Sequence, residues 1–205
     1  MNDLFFSLDG VDGVGKSTQL SLLADWLEKR GYQTITCRDP GSTQAGEAVR
    51  EILLERSEWH IDRTTEMLLY MAARAQLVAE VIRPALNQNK VVLADRFLLA
   101  NVVYQGHAGG LDMDSVRSVG TVATGGVRPK RTIILDMDVD RAMSRLDREQ
   151  DRMESQGMEF LRQVRQGFLA EAEDDASITV VDADQSVESL HTAIVAVVGE
   201  ELDLA

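Results

Sequence analysis

The sequence contains a single cysteine, Cys37, so an intramolecular disulfide is excluded. Residues 33–38 around it have the pattern of a strand, and a small thiol in a strand is typical of a buried packing position. The absence of a disulfide is consistent with a reducing compartment. We therefore interpret Cys37 as a core residue and not as a reactive thiol.

Long apolar runs are also missing. No stretch approaches the roughly 18 consecutive apolar residues that a membrane-spanning helix needs. The first residues lack the basic region and the long apolar core of a secretory signal. We predict a soluble, cytoplasmic protein that has no membrane partner.

Basic residues are few compared with acidic ones. The sequence has 21 Lys and Arg residues and 34 Asp and Glu residues, and the net charge is −13 at pH 7. Such a chain lacks the basic footprint with which proteins bind nucleic acid, so we predict no nucleic-acid partner. An anionic substrate must then be held by locally placed Arg and Lys side chains.

What the sequence does contain is a phosphate-binding motif. Residues 10–17 match G-x-x-x-x-G-K-[ST] at every specified position. The glycines allow backbone N–H groups to approach phosphate oxygens, Lys16 adds a positive charge, and Ser17 offers a hydroxyl to Mg²⁺. An apolar run precedes the motif and a helical pattern follows it, as a P-loop requires. The residues predicted to bind ATP are Gly10, Val11, Asp12, Gly13, Val14, Gly15, Lys16, Ser17 and Thr18.

The rest of the chain alternates between short apolar runs and helical patterns. The 205 residues fit one domain, predicted to span positions 1–205. The predicted strands cover residues 4–8, 33–38, 90–94, 132–135 and 177–181. The predicted helices begin near Lys16, cover 43–54, 64–86 with a break near Pro84, 111–122 and 160–169, and end with one through Val198. This pattern predicts an α/β fold with a doubly wound, five-stranded parallel sheet flanked by helices.

Two carboxylates directly follow buried strands of this predicted sheet. Asp95 follows the strand at 90–94, and Asp136 follows the strand at 132–135. The carboxyl ends of parallel strands meet at one edge of the sheet, where ligands bind. We expect one or both of these residues to face the magnesium ion at the P-loop.

The distribution of arginines favours a kinase among the many P-loop proteins. Arg38, Arg50, Arg74 and Arg96 precede a densely charged segment at 138–157, which is predicted to be exposed and mobile and contains four more arginines. Phosphoryl transfer depends mainly on positioned cations and magnesium. A guanine-specific switch would usually carry Asn-Lys-x-Asp, and the nearest match, at 89–92, lacks the final Asp.

Several short motifs recur along the chain in a specific order. They are the P-loop with Asp12 inside it, Arg38-Asp39-Pro40-Gly41, Tyr70-Met71-Ala72-Ala73-Arg74, Asp95-Arg96-Phe97, Tyr104-Gln105-Gly106 and Asp151-Arg152-Met153-Glu154. Together they resemble bacterial thymidylate kinases, from about residue 4 to about residue 185. The resemblance implies a P-loop NTPase fold, transfer of the ATP γ-phosphate to thymidine monophosphate (dTMP) to give dTDP, ATP and Mg²⁺ as cofactors, and a homodimer.

The resemblance also implies roles for individual residues. Tyr70 corresponds to the aromatic residue that stacks on thymine, and Arg74 to the arginine that bonds a thymine carbonyl. Arg96 corresponds to the residue that holds the acceptor phosphate, while Asp12 and Tyr104 lie beside the deoxyribose. The implied substrate-binding residues are Asp12, Asp39, Pro40, Arg50, Tyr70, Arg74, Arg96, Asn101, Tyr104 and Gln105, and the implied metal-side residues are Ser17 and Asp95.

The donor side carries a further family trait. Gly13 occupies a P-loop position where some members have a basic residue, and members without it place arginines in a flexible lid. We therefore expect a lid at about 141–157. The implied catalytic residues are Lys16, Asp12, Arg96, Arg145, Arg148 and Arg152.

Three positions depart from the pattern of the family. Asp39 replaces the more common Glu before Pro-Gly, Ala100 replaces a frequent Ser, and Phe97 replaces a usual Tyr or His. None of the three removes a required charge, so we expect a changed KM before changed chemistry. A P-loop kinase for another nucleotide and, less favoured by the arginines, a nucleotide-driven switch stay open as alternatives.

Overall fold

The computed structural model describes residues 4–54, 60–146, 152–153 and 156–204. Its five strands are β1 (Phe5–Asp9), β2 (Thr34–Arg38), β3 (Val91–Asp95), β4 (Arg131–Asp136) and β5 (Ile178–Asp182). They form one sheet in the order β2-β3-β1-β4-β5, and every neighbouring pair is parallel. The predicted five-stranded parallel sheet is confirmed.

The helices lie on both faces of this sheet. They are α1 (Lys16–Glu28), α2 (Gln44–Leu54), α3 (Arg63–Leu77), α4 (Arg83–Asn87), α5 (Leu98–Asn101), α6 (Met113–Thr124), α7 (Val139–Ser144), α8 (Met158–Asp174) and α9 (Val187–Glu201). Two π-helical turns, π1 (Val78–Ile82) and π2 (Val102–His107), continue α3 and α5. None of the described helices has the length and apolar content to cross a bilayer.

Alternate residues of the central strand β1 pack into two separate hydrophobic cores, one on each face of the sheet. Phe6 and Leu8 are fully buried with side chains of α1, α8 and α9 on one face. Phe5 is fully buried on the other face, where its ring meets Phe97 edge-on at a centroid distance of 5.0 Å. Because strand residues alternate between faces, this apolar run can serve both layers of a doubly wound sheet.

The break predicted near Pro84 takes the form of the π turn. π1 ends at Ile82, and Pro84 lies in the first turn of α4. Proline has no N–H to donate to the carbonyl four residues earlier, so the regular ladder cannot continue through it. The chain therefore changes its hydrogen-bond spacing there without leaving the helical path.

The segment predicted to be exposed and mobile at 138–157 begins differently. Residues 139–144 form α7, and the side chain of Asp138 caps it by accepting from the N–H groups of Asp140 and Arg141. Val139 and Ala142 are buried by this helix. The dense charge hid this short apolar pattern, so the prediction was wrong for the first part of the segment.

Cys37 lies in β2 and is buried, as expected. Burial, together with the nearby carboxylates of Asp39 and Asp95, raises the pKa of its thiol to about 12. A thiol with this pKa stays protonated at neutral pH and is a poor nucleophile. The interpretation of Cys37 as a packing residue is therefore supported.

Candidate active site

The loop between β1 and α1 forms a cradle of backbone N–H groups. Gly13 and Gly15 have φ angles of 84° and 100°, in the region that favours glycine. A Cβ atom on Gly13 would lie 2.0 Å from the carbonyl oxygen of Ala142, so α7 approaches the loop too closely for any other residue. Gly15 immediately precedes α1, whose amino-terminal N–H groups and dipole favour an anion.

Lys16 is folded back against this loop. Its Nζ atom donates to the carbonyl oxygens of Gly10 at 3.1 Å and Val11 at 2.9 Å, and it lies 3.4 Å from Oδ1 of Asp12. The side chain is only 6% exposed, and burial lowers the pKa of its ammonium group. A buried cation held mainly by neutral carbonyls strongly favours an incoming phosphate.

The two residues predicted to serve magnesium lie together at the mouth of the loop. Ser17 Oγ donates to Oδ2 of Asp95 at 2.9 Å. Among the described residues, no three acidic, His or Cys side chains gather into a metal-binding group. Mg²⁺ commonly takes one or two protein ligands and completes its shell with water and phosphate oxygens, so this pair fits an open magnesium site. Asp136 instead accepts two bonds from Arg165, at 2.7 and 2.9 Å.

Arg96 connects the P-loop with the neighbouring cavity. Its guanidinium donates to the carbonyl of Gly10 at 2.7 Å and to Oδ1 of Asp12 at 2.9 Å, and it lies 5.2 Å from the centre of the Tyr104 ring. Its φ angle of 68° is unusual for a residue other than glycine. Such strain occurs at sites where the surrounding structure dictates the direction of a side chain.

Two carboxylates near Arg96, those of Asp9 and Asp12, have pKa values that are shifted in opposite directions. Burial raises the pKa of Asp9 from 3.8 to about 7 despite the charges of Arg96 and Lys16, and neither of its oxygens has a hydrogen-bond partner among the described residues. Burial also acts on Asp12, but the charges and hydrogen bonds of Arg96 and Lys16 outweigh it and lower the pKa of Asp12. Sequence reasoning missed Asp9, although it is the polar end of an apolar strand beside the P-loop.

Arg74 and Asp39 form a fully buried ion pair. Nε of Arg74 donates to Oδ2 of Asp39 at 2.5 Å, and a second nitrogen donates to the carbonyl of Phe97 at 3.2 Å. Burial raises the pKa of Asp39, and the charge of Arg74 acts against this rise. The shorter carboxylate noted in the sequence therefore orients the arginine that is predicted to read the base.

The predicted substrate residues surround one cavity of about 220 Å³. All ten line it: Asp12, Asp39, Pro40, Arg50, Tyr70, Arg74, Arg96, Asn101, Tyr104 and Gln105. Ser17, Asp95 and Ala100 also line the cavity, so donor-side and acceptor-side groups share it. Arg50 donates to the carbonyl of Pro40 at 3.1 Å, and burial raises the pKa of the Tyr70 hydroxyl. Their binding roles stay predictions.

A hydrogen-bonded row of side chains runs from one wall of the cavity, which Asn101 and Gln105 line, to Glu66 in a neighbouring cavity. Asn101 Nδ2 donates to Oε1 of Gln105 at 2.6 Å, and Gln105 Nε2 donates to Oε1 of Glu66 at 2.9 Å. π2 and α5 present the two amides, and α3 presents Glu66. Sequence reasoning missed Glu66, because its partners are far away along the chain.

The arginines expected in the lid have different surroundings. Arg145 is exposed after the last turn of α7, whereas Arg148 lies outside the described residues. Arg152 donates to Oε2 of Glu66 and, at 2.6 Å, to the carbonyl oxygen of Leu53. The guanidinium of Arg152 thus pairs with the buried carboxylate of Glu66 in this structure, and its contact with the transferring phosphate stays a prediction.

The P-loop and the adjoining arginine-lined cavity at the carboxyl edge of a parallel sheet define a P-loop kinase, with neighbouring places for a nucleotide donor and an anionic acceptor. A sequence model described as thymidylate kinase matches residues 8–194. The chain belongs to the thymidylate kinase family.

Individual relatives agree over nearly the whole length. The chain is 46% identical to a thymidylate kinase of Kosmotoga olearia over 195 residues, which is 94% of this chain and 93% of the relative. It is 41% identical to one from Desulforudis audaxviator over 95% of this chain and 89% of the relative. The crystal structure of thymidylate kinase from Ehrlichia chaffeensis is similar, with a TM-score of 0.77 and 29% identity, covering 95% of this chain and 97% of that one.

Proposed function

We propose that this chain is an ATP-dependent nucleoside monophosphate kinase that transfers the γ-phosphate of ATP to dTMP and releases dTDP. Membership of the thymidylate kinase family supports this function. The observation that carries it is the position of Arg96, which bonds the P-loop at Gly10 and Asp12 and also lines the acceptor cavity. One cation thereby adjoins both the donor and the acceptor side.

On the donor side, residues 10–18 hold the ATP phosphates. Their backbone N–H groups and the start of α1 bind phosphate oxygens, and Lys16 exchanges its carbonyl partners for the anion. Ser17 and Asp95 would hold Mg²⁺. The bound ion would neutralise charge on the phosphate oxygens during transfer.

On the acceptor side, Arg96 holds the dTMP phosphate. Tyr70 stacks on the thymine ring, and Arg74, oriented by Asp39, donates to a carbonyl of the base. Asp12 accepts from the sugar 3′-hydroxyl, and the ring of Tyr104 leaves no room for a 2′-hydroxyl. The acceptor phosphate is already largely anionic at neutral pH and needs no strong general base, so these residues act mainly by position and charge.

The lid completes the site over ATP. We assign Arg145 and Arg148 to the transferring phosphate and keep Arg152, which pairs with Glu66 in the structure, as a third arginine for the same role. Closure of this segment would exclude water and limit hydrolysis of ATP. Loss of either assigned arginine is expected to lower kcat more than it changes the KM for dTMP.

A single domain, a homodimer and a cytoplasmic location complete the proposal. Leu68 on α3 and Val122 on α6 are exposed apolar side chains, 49% and 82% accessible, on helices that pack against each other. They support a second copy of the chain as partner. Light scattering after size exclusion would measure the mass, and a monomer across working concentrations would refute the dimer.

A coupled assay tests the function. Transfer from Mg-ATP is measured to dTMP, dUMP, dCMP, dGMP, dAMP and UMP, for the wild type, Arg74→Ala and the exposed control Arg162→Ala. We expect a strong preference for dTMP that only Arg74→Ala abolishes. Preference for another monophosphate would overturn the substrate and support a different nucleotide kinase, and no transfer to any acceptor would favour a nucleotide-driven switch.

A further inference from the structure

Glu66 contacts Gln105, which lines the acceptor cavity, and none of the roles assigned above requires Glu66. It projects from α3, is only 7% exposed, and has both carboxylate oxygens engaged. Oε1 accepts from Gln105 at 2.9 Å, and Oε2 accepts from the guanidinium of Arg152. A buried carboxylate needs such hydrogen-bond partners. Because Gln105 in turn bonds Asn101, the carboxylate also affects how the next two amides are oriented.

The consequence is a fixed polarity in the two neighbouring amides. A carboxylate paired with an arginine only accepts hydrogen bonds, so Gln105 must turn its NH₂ group toward Glu66. Its Oε1 then faces Asn101 and accepts from Nδ2 at 2.6 Å. Asn101 consequently has its own oxygen left over. Asn101 Oδ1 is buried and has no hydrogen-bond partner within the described part of the chain, and the residue lines the cavity.

We propose that Glu66 is a specificity-determining positioning residue that makes the wall present a hydrogen-bond acceptor to the base. This inference rests on the proposed function. Thymine carries a hydrogen-bond donor, N3–H, where cytosine carries an acceptor nitrogen. The side-chain oxygen of Asn101 can therefore accept a hydrogen bond from thymine, whereas it repels the ring nitrogen of cytosine. A site built to accept a hydrogen bond rejects an analogue that cannot donate it, because the buried oxygen is then unpaired. Glu66 acts here without touching the substrate.

The test removes the fixed polarity while keeping the size of the side chain. In Glu66→Gln the new amide can donate, so the row can reverse and Asn101 can turn its NH₂ group toward the base. We expect the ratio of kcat/KM for dTMP over dCMP to fall by about tenfold or more. Glu80→Gln, an exposed change farther along the same helical path, is the matched control and is expected to keep the wild-type ratio.

A second pair of variants separates polarity from packing. Asn101→Asp placed in the Glu66→Gln chain restores an oxygen-only side chain at the cavity, and we expect it to recover at least part of the dTMP preference. Gln105→Met interrupts the row while Glu66 itself stays in place with its bond from Arg152, and it is expected to lower the ratio as well. It supplies the measurement if Glu66→Gln does not fold, as judged by circular dichroism.

The outcomes distinguish this inference from the function on which it rests. If the wild type prefers dTMP but Glu66→Gln loses activity toward both nucleotides with an unchanged ratio, Glu66 is structural. The inference then fails while the proposed function stands. The same criterion applies to Gln105→Met if Glu66→Gln does not fold. If the wild type itself does not prefer dTMP, the proposed function fails. A lowered ratio in a folded variant, recovered with Asn101→Asp, supports the fixed polarity.

Discussion

Asp9 is expected to make the stability of the protein fall as the pH rises, and Asp9→Asn is expected to remove this effect. The carboxyl group is completely buried at the end of β1, and neither oxygen has a hydrogen-bond partner among the described residues. Burial raises its pKa to about 7. Asparagine keeps the shape of the side chain and cannot ionise, so it isolates the cost of the charge.

The sign follows from the two pKa values. Between 3.8, the ordinary value, and about 7, the folded protein keeps a proton on Asp9 that the unfolded chain has lost. The free energy of unfolding therefore falls as the pH rises through this range and levels off above it. At about 1.4 kcal/mol per pKa unit, the wild type loses ~4 kcal/mol in total, of which roughly 3 kcal/mol is lost between pH 5 and pH 8.

Urea unfolding at pH 5, 6, 7 and 8 measures this change. The quantity compared is the difference in unfolding free energy between the wild type and Asp9→Asn, because other titrating groups largely cancel in it. Asp25→Asn on the exposed face of α1 controls for the loss of one carboxylate. A difference that stays constant to within about 1 kcal/mol over this range would refute the reasoning, since a variant that merely loses packing shifts all four values equally.

Three further substitutions probe separate parts of the site. Gly13→Ala places a Cβ atom on a residue with positive φ, 2.0 Å from the Ala142 carbonyl oxygen. The affinity for ATP in equilibrium titration should therefore fall by about tenfold or more, and an unchanged affinity would contradict phosphate binding by this loop. Arg74→Ala leaves the carboxylate of Asp39 buried without its cation, and the free energy of unfolding in urea should fall by about 3–5 kcal/mol, whereas a loss below about 1 kcal/mol would argue against the pair. Ser17→Ala should raise the Mg²⁺ concentration for half-maximal transfer by about tenfold, and an unmoved midpoint would remove Ser17 from the metal site.

Local patterns were sufficient to predict the sheet. Each of the five predicted strands is present, with ends within one residue of the predicted limits, and the three central strands β1, β3 and β4 are the mainly apolar ones. Strands buried on both faces are continuously apolar, and the polar residue that follows each run marks the edge of the core. The P-loop was equally predictable, because Gly13, Gly15 and Lys16 act through the backbone turn in which they lie.

Features that depend on distant partners could not be predicted in this way. Glu66 has the pattern of any glutamate on a helix, and its importance arises from Gln105 and Arg152, which lie 39 and 86 positions away. Residues 98–107 received no predicted element because π2 departs from the 3.6-residue period by which helices are recognised. The direction of Arg152 likewise depends on a carboxylate that sequence reasoning had not singled out.

The order of strands in the sheet also affects how the protein is made. β1 leaves the ribosome before the other four strands of the sheet, yet its neighbours are β3 and β4, and the first paired residue of β1, Phe5, meets Val92. At about 5–20 residues per second, synthesis takes roughly 4–17 s to reach that partner. During this interval the mainly apolar and fully buried β1 has no strand beside it. In the newly made chain β1 therefore depends on shielding, by early collapse with α1 or by a chaperone, before the sheet can close.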